Sequence, residues 1–190
     1  MRRGNLFVIS GPSGAGKGTL VARLLEAVPD AWVSVSATTR APRDGEAEGV
    51  HYFFKSEDEF MRLAREGGLL EWARYAGNCY GTPRASVEEH MAAGDQVILE
   101  IDVQGAFQVR EKMPSAHLVF IEPPSLEVLE QRLRGRGTEA EEAVKSRLDA
   151  AVVELSRKME YDIRLVNDDL ELALGELVAY VNEQADNPRG

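Results

Sequence analysis

The stretch FVISGPSGAGKGT, Phe7 to Thr19, constrains this chain more than any other. An apolar run leads into a loop with four glycines and a lysine, and Leu20, Leu24, Leu25 and Val28 follow at helical spacing. Glycine has no β-carbon, so such a loop can turn through positive φ and press its backbone against a ligand. A strand, a glycine loop and a helix N-terminus together aim several N–H groups at one point, where the helix dipole favours negative charge. Lys17 adds a full positive charge. The arrangement predicts a nest for a polyphosphate such as that of ATP or GTP. Gly11, Gly16 and Lys17 fall in register with the phosphate-loop pattern G-x-x-x-x-G-K-[ST], with Pro12, Ser13, Gly14 and Ala15 between them. Gly18 stands where the hydroxyl residue is expected, and Thr19 comes next.

Further apolar runs are LFVIS (6–10), WVSVS (32–36), VILEI (97–101), HLVFI (117–121) and IRLV (163–166), most of them separated by amphipathic helical segments. The alternation predicts an α/β fold, a parallel five-stranded sheet flanked by helices on both faces. Capping-box spacing at Ser56–Glu59, Ser86–Glu89 and Thr138–Glu141 marks helix starts; Gly67-Gly68, Gly94 and Pro114 mark stops. Val144, Leu148, Ala151, Leu155 and Met159 trace the packed stripe of a long helix. A last helix is expected from about Leu170 through Val181, with EQADNPRG as a frayed tail. Residues 37–90, with a charged loop, aromatics and the tight GNCYGTP, break the alternation. So do the arginine-dense residues 132–147. Both read as insertions on the core sheet, where specificity loops and lids are found.

A chain of 190 residues with 44% apolar content suits one domain with a real core. Its net charge of −10 would repel a long nucleic-acid backbone, so an anionic ligand must be small and met by locally clustered cations. The single cysteine, Cys79, reads as a buried structural thiol and suits a reducing cytoplasm. MRRGNLFVIS lacks the apolar region of a signal peptide, and no run approaches the roughly 20 apolar residues of a membrane span. The expectation is a cytoplasmic protein with neither nucleic-acid nor membrane partner. The three histidines, His51, His90 and His117, have no metal-ligand spacing. Oligomeric state is not legible.

Seven motifs in order, GPSGAGKGT, SVSATTRAPRDGE, GVHYFF, LLEWARYAGNCYGTP, LEIDVQGA, RLRGRGTE and VNDDL, closely resemble guanylate kinase from about Asn5 to Leu177. The resemblance implies a P-loop nucleoside monophosphate kinase that moves the γ-phosphoryl group of ATP to GMP, with dGMP as a second acceptor and Mg²⁺ as cofactor. It divides the chain into a core (1–35, 91–131 and 150–190), a GMP-binding insertion (36–90) and a lid (132–149). Two alternatives stay open: a non-catalytic guanylate-kinase-like binding module, or a kinase for another nucleoside monophosphate.

Carried over by position, the resemblance places Gly11 to Thr19, Arg136 and Asn167 on ATP. It places Ser36, Arg40, Arg43, Tyr52, Glu71, Tyr80, Thr82, Glu100 and Asp102 on GMP. Arg40 and Arg43 would grip the GMP phosphate with the hydroxyls of Tyr52 and Tyr80, since a guanidinium holds two phosphate oxygens at once. The Glu71 carboxylate would accept from guanine N1–H and the exocyclic amine, with Ser36 and Thr82 on the O6 side. Adenine would turn an acceptor toward that acid, a mismatch worth roughly 10⁴-fold. Glu100 and Asp102 are expected as buried acids on one side of the strand VILEI and its end. The strand ending in Asp resembles a Walker-B element, and the family often has Asp where Glu100 stands. Thr19 and Asp102 would meet Mg²⁺ through water, because Gly18 offers no oxygen; adenylate kinases likewise tolerate GKGT. Lys17, Arg43, Arg136 and Arg147 carry the catalytic charge, with Arg132 a further lid arginine.

Overall fold

The computed structural model describes residues 2–135 and 141–187. Strand β1 (Asn5–Ser10) enters the glycine loop and α1 (Lys17–Ala27) leaves it. There follow β2 (Ala31–Val33), β3 (Ala37–Thr38), β4 (Phe53–Phe54), α2 (Glu57–Arg65), β5 (Leu69–Tyr75), β6 (Asn78–Pro83) and α3 (Arg84–Ala93). Then come β7 (Gln96–Glu100), α4 (Val103–Lys112), β8 (His117–Glu122), α5 (Leu126–Arg134), α6 (Glu141–Ser156), β9 (Ile163–Val166) and α7 (Leu170–Asp186).

The main sheet has the order β2-β7-β1-β8-β9 and every pairing in it is parallel. Strand β1 is buried along its whole length, as a parallel strand covered on both faces must be. Its alternate residues feed two cores. Phe7 and Ile9 pack with Leu20 and Leu24 of α1 and Leu177 and Val181 of α7. Leu6 and Val8 pack with Val87 of α3 and Ala106 and Val109 of α4. The chain steps from β1 toward β2 on one side and finds β8 on the other, so the glycine loop opens at a topological switch point, where α/β sheets bind ligands.

A second, mixed sheet has the order β4-β3-β6-β5. It occupies part of the segment that the sequence shows only as charged loop and aromatics. Two of its strands are two residues long, too short for a period to register. Strands β5 and β6 form a hairpin whose two turn residues, Ala76 and Gly77, have φ of 47° and 82°, the left-handed pair of a type I′ turn.

Several expected boundaries shift. Ser56 and Glu59 do form a capping box. Ser86 does not cap α3, which starts at Arg84 directly after Pro83 with no side-chain cap. Thr138 lies outside the described residues. In the α6 stripe Val144, Leu148 and Ala151 pack with Leu129 and Leu133 of α5, while Leu155 turns to the main-sheet core. Met159 is 70% exposed, because α6 ends at Ser156 and a 3₁₀ turn follows. Helix α7 runs on past Val181 to Asp186, because Ala185 continues its buried stripe. Strand β2 stops at Val33 rather than reaching Ser36.

Candidate active site

The glycine loop is held from behind. Asn167 Nδ2 donates to the Ala15 carbonyl at 2.8 Å, and the Asn167 carbonyl accepts from Arg132 Nη2 at 2.9 Å. Gly16 has φ of +91°, and a β-carbon there would lie 2.3 Å from Asn167 Nδ2, so glycine is required twice over. Asn167 is therefore a brace; the cap of α7 is Asp169, which accepts from the N–H groups of Glu171 and Leu172.

At the loop lies a cavity of about 430 Å³ lined by Ser13, Gly14, Gly16, Lys17, Gly18, Thr19 and Glu100. Lys17 Nζ donates to the carbonyls of Gly11 and Pro12. Burial pushes the Lys17 amine below its ordinary value, while the nearby carboxylates of Glu100, Glu154 and Asp102 oppose that shift. Arg147 of α6 reaches the loop, its Nη1 donating to Ser13 Oγ at 3.4 Å. Arg136 lies outside the described residues.

A second cavity, about 440 Å³, is lined by Ser36, Tyr52, Glu71, Tyr80, Glu100 and Asp102, among others. Glu100 borders both cavities. Glu71 is 7% exposed, and its Oε1 accepts from the Thr82 hydroxyl at 2.6 Å. Burial pushes the Glu71 carboxyl above its ordinary value and the charge of Asp102 adds to this; the Thr82 hydroxyl and Lys112 pull the other way. Thr82 itself is buried, with its hydroxyl donating to that acid.

Arg40 Nη2 donates to Glu46 Oε1 at 2.8 Å, and its guanidinium sits 5.3 Å from the Tyr52 ring centre. The Tyr52 and Tyr80 rings meet edge to face at 6.1 Å. Glu46 also accepts from the Arg43 N–H at 2.8 Å. The Arg40 hydrogen bond and that N–H hold the Glu46 carboxyl down at about 2. The Arg43 side chain is exposed. Arg40, Tyr52 and Tyr80 are thus drawn together, and Glu46, which sequence reasoning missed, orients the arginine.

The expectation of two buried acids fails. Strand β7 ends at Glu100, and Asp102 is the N-cap of α4, its Oδ1 accepting from the Gly105 N–H at 2.8 Å. Both side chains are exposed. Strand alternation stops at Glu100, so it has no bearing on Asp102. Glu154 of α6 was missed as well; its Oε2 is buried without a hydrogen-bond partner, and it lines a 250 Å³ recess with Asp102 and Arg157. Cys79 is buried and free, as expected.

Among the described residues no three or more His, Cys, Asp or Glu side chains converge to hold a metal ion, and no helix is long and apolar enough to cross a membrane. The side-chain oxygens that line the phosphate-loop cavity are two hydroxyls, Ser13 and Thr19, and one carboxylate, Glu100. They suit a hard cation carried mainly by phosphate oxygens and water.

Comparison with known proteins identifies the family. The family model described as guanylate kinase matches residues 3–184. Guanylate kinase of Synechococcus sp. (strain CC9311) is 59% identical over 175 residues, covering 92% of each chain. That of Streptomyces kasugaensis is 55% identical over 183 residues, covering 96% of this chain and 89% of its own. The crystal structure of guanylate kinase from Anaplasma phagocytophilum superposes with a TM-score of 0.73 at 35% identity, covering 97% of this chain and 88% of that one. With a family model spanning nearly its whole length and relatives this similar, the chain belongs to the guanylate kinase family.

Proposed function

We propose that ATP binds with its phosphates in the glycine-loop cavity, that GMP binds in the cavity lined by Glu71, and that the two meet beside Glu100. The protein is an ATP:GMP phosphotransferase that yields ADP and GDP. The observation that carries the site assignment is the shared wall: a lysine-and-amide nest and a cavity with a buried carboxylate have Glu100 in common.

The chemistry needs no nucleophile from the protein. A GMP phosphate oxygen forms a bond to the γ-phosphorus as the bond from that phosphorus to the β,γ-bridging oxygen breaks, and ADP leaves with the electron pair. What the chain supplies is alignment and charge. The loop N–H groups and Lys17 hold the donor; Arg40, with Tyr52, Tyr80 and Arg43, holds the acceptor phosphate; Arg147, joined by Arg136, covers the transferring group. Residues 36–90 and 132–149 act as acceptor-binding insertion and lid, and closure keeps water from the phosphoryl group. Thr19, Glu100 and Asp102 would hold Mg²⁺ through water, and the ion would supply neutralisation of the ATP phosphates. Glu71 selects guanine by accepting from its N1–H and exocyclic amine.

The test is ADP production from ATP and Mg²⁺ with GMP, dGMP, AMP and dTMP in turn. GMP is expected to be strongly preferred, and equal use of AMP would overturn the role given to Glu71. GMP binding without turnover would favour the non-catalytic alternative.

A further inference from the structure

Strand β5, which carries Glu71, is the edge of the second sheet and among the described residues pairs only with β6. An edge strand normally leaves its outer N–H and C=O groups to water. Here one side chain takes both groups of the residue after Glu71. Gln108 Oε1 accepts from the Trp72 N–H at 3.1 Å, and Gln108 Nε2 donates to the Trp72 carbonyl at 3.1 Å. The amide does what a neighbouring strand would do.

Two more contacts flank this one along α4. A β-carbon at Gly105 would lie 3.1 Å from Glu71 Oε2, so the helix backbone comes up against the carboxylate itself. Lys112 Nζ donates to the Leu69 carbonyl at 3.0 Å. Positions 105, 108 and 112 lie on one helix face. The adjoining side of α4 is rooted in the main-sheet core through Ala106 and Val109. The place of Glu71 is therefore referred to the main sheet, which also carries the glycine loop, and not to its own small sheet alone.

We infer that Gln108 is a positioning residue for guanine recognition, holding Glu71 in register through the Trp72 backbone without touching the base. The inference rests on the reading that Glu71 accepts from guanine. If the Trp72 groups lose their partner, β5 is free to shift at its edge, and the acid moves relative to the two donors it must face together. Inosine monophosphate, which lacks the exocyclic amine, is the sensitive comparison, because discrimination between it and GMP depends on the second of those two bonds.

The experiment compares the full chain with Gln108→Leu, Gln108→Glu, Glu71→Gln and the double variant Gln108→Leu/Glu71→Gln. It measures kcat and KM for GMP and for inosine monophosphate at saturating MgATP, with circular dichroism to establish folding. Gln108→Leu is expected to lower GMP discrimination about tenfold, mostly through the KM for GMP. Gln108→Glu keeps the bond from the Trp72 N–H and is expected to fall between wild type and Gln108→Leu. In the Glu71→Gln background Gln108→Leu is expected to change the ratio no further. Unchanged discrimination in Gln108→Leu, with Glu71→Gln showing a loss, overturns this inference alone. So does a Gln108→Leu effect of equal size in both backgrounds, which marks a merely structural role. If Glu71→Gln leaves discrimination intact, the base-reading role of Glu71 fails and this inference falls with it. Should Gln108→Leu not fold, Gln108→Glu decides the same question.

Discussion

The Thr82 hydroxyl donates to Glu71 Oε1 across 2.6 Å, and both residues are buried. A short bond to a carboxylate is among the stronger side-chain hydrogen bonds, worth about 1.5–3 kcal/mol. Thr82→Val removes it at almost constant volume. Its expected effect is a drop of about tenfold or more in kcat/KM for GMP, with Thr82→Ser close to wild type. Steady-state kinetics with GMP as the varied substrate checks this.

Glu71 also sets a pH dependence. Its carboxyl is raised from an ordinary 4.5, chiefly by burial, so between that value and the raised one the folded protein binds a proton the unfolded chain does not. Ionising Glu71 therefore costs the unliganded fold, and stability falls as pH rises through this window. GMP affinity runs the opposite way, because only the ionised acid accepts both donors; it falls as pH drops through the raised value. Glu71→Gln is expected to remove the trend in GMP affinity and the Glu71 share of the trend in stability, burial having raised the Glu154 carboxyl as well, which melting temperature and GMP titration against pH would measure. Wild-type stability that rises relative to Glu71→Gln as pH passes up through the window would contradict the assignment.

Asn167→Ala deprives the Ala15 carbonyl of its donor and leaves a gap behind the glycine loop. A buried acceptor left unpaired costs about 1–3 kcal/mol. The expected outcome is a lowered melting temperature and a raised KM for ATP, with the KM for GMP little changed.

A β-carbon at Gly18 would lie 3.8 Å from both Glu100 carboxylate oxygens, which is ordinary contact, and its φ is not in the left-handed region. Gly18→Ser is therefore expected to fold and turn over, with stability equal to wild type or up to about 0.5 kcal/mol higher from helix propensity. Thermal denaturation and turnover test it; a clear loss of stability would show that the site needs glycine for space.

Lys17→Ala removes the one lysine of the nest. Turnover is expected to fall at least about 10²-fold while GMP still binds. Calorimetry with GMP alongside the ADP assay separates the two, and unchanged turnover would refute the role of Lys17.

The central strands β1, β7 and β8 were legible because a strand covered on both faces is mostly apolar, while the partly buried edge strands β2 and β9 showed only as short apolar runs. The phosphate loop was legible because its glycines answer to local geometry, as Gly16 illustrates. The second sheet was not, since β3 and β4 are two residues each, too short to show a period. Glu71 was identified only through the motif LLEWA, for nothing local separates it from a surface acid.

By itself, then, the sequence determined the αβ alternation, the phosphate nest and the set of residue types that surround it, all of which are encoded over a few neighbouring positions. Tertiary structure decided which polar groups serve one another: Thr82 on Glu71, Glu46 on Arg40, Asn167 behind Ala15, Gln108 on Trp72. Asn167 and Ala15 lie 152 positions apart and Gln108 and Trp72 36 apart, and no local pattern links them. Such pairs exist only once burial has removed water as the competing partner, and burial is a property of the packed chain.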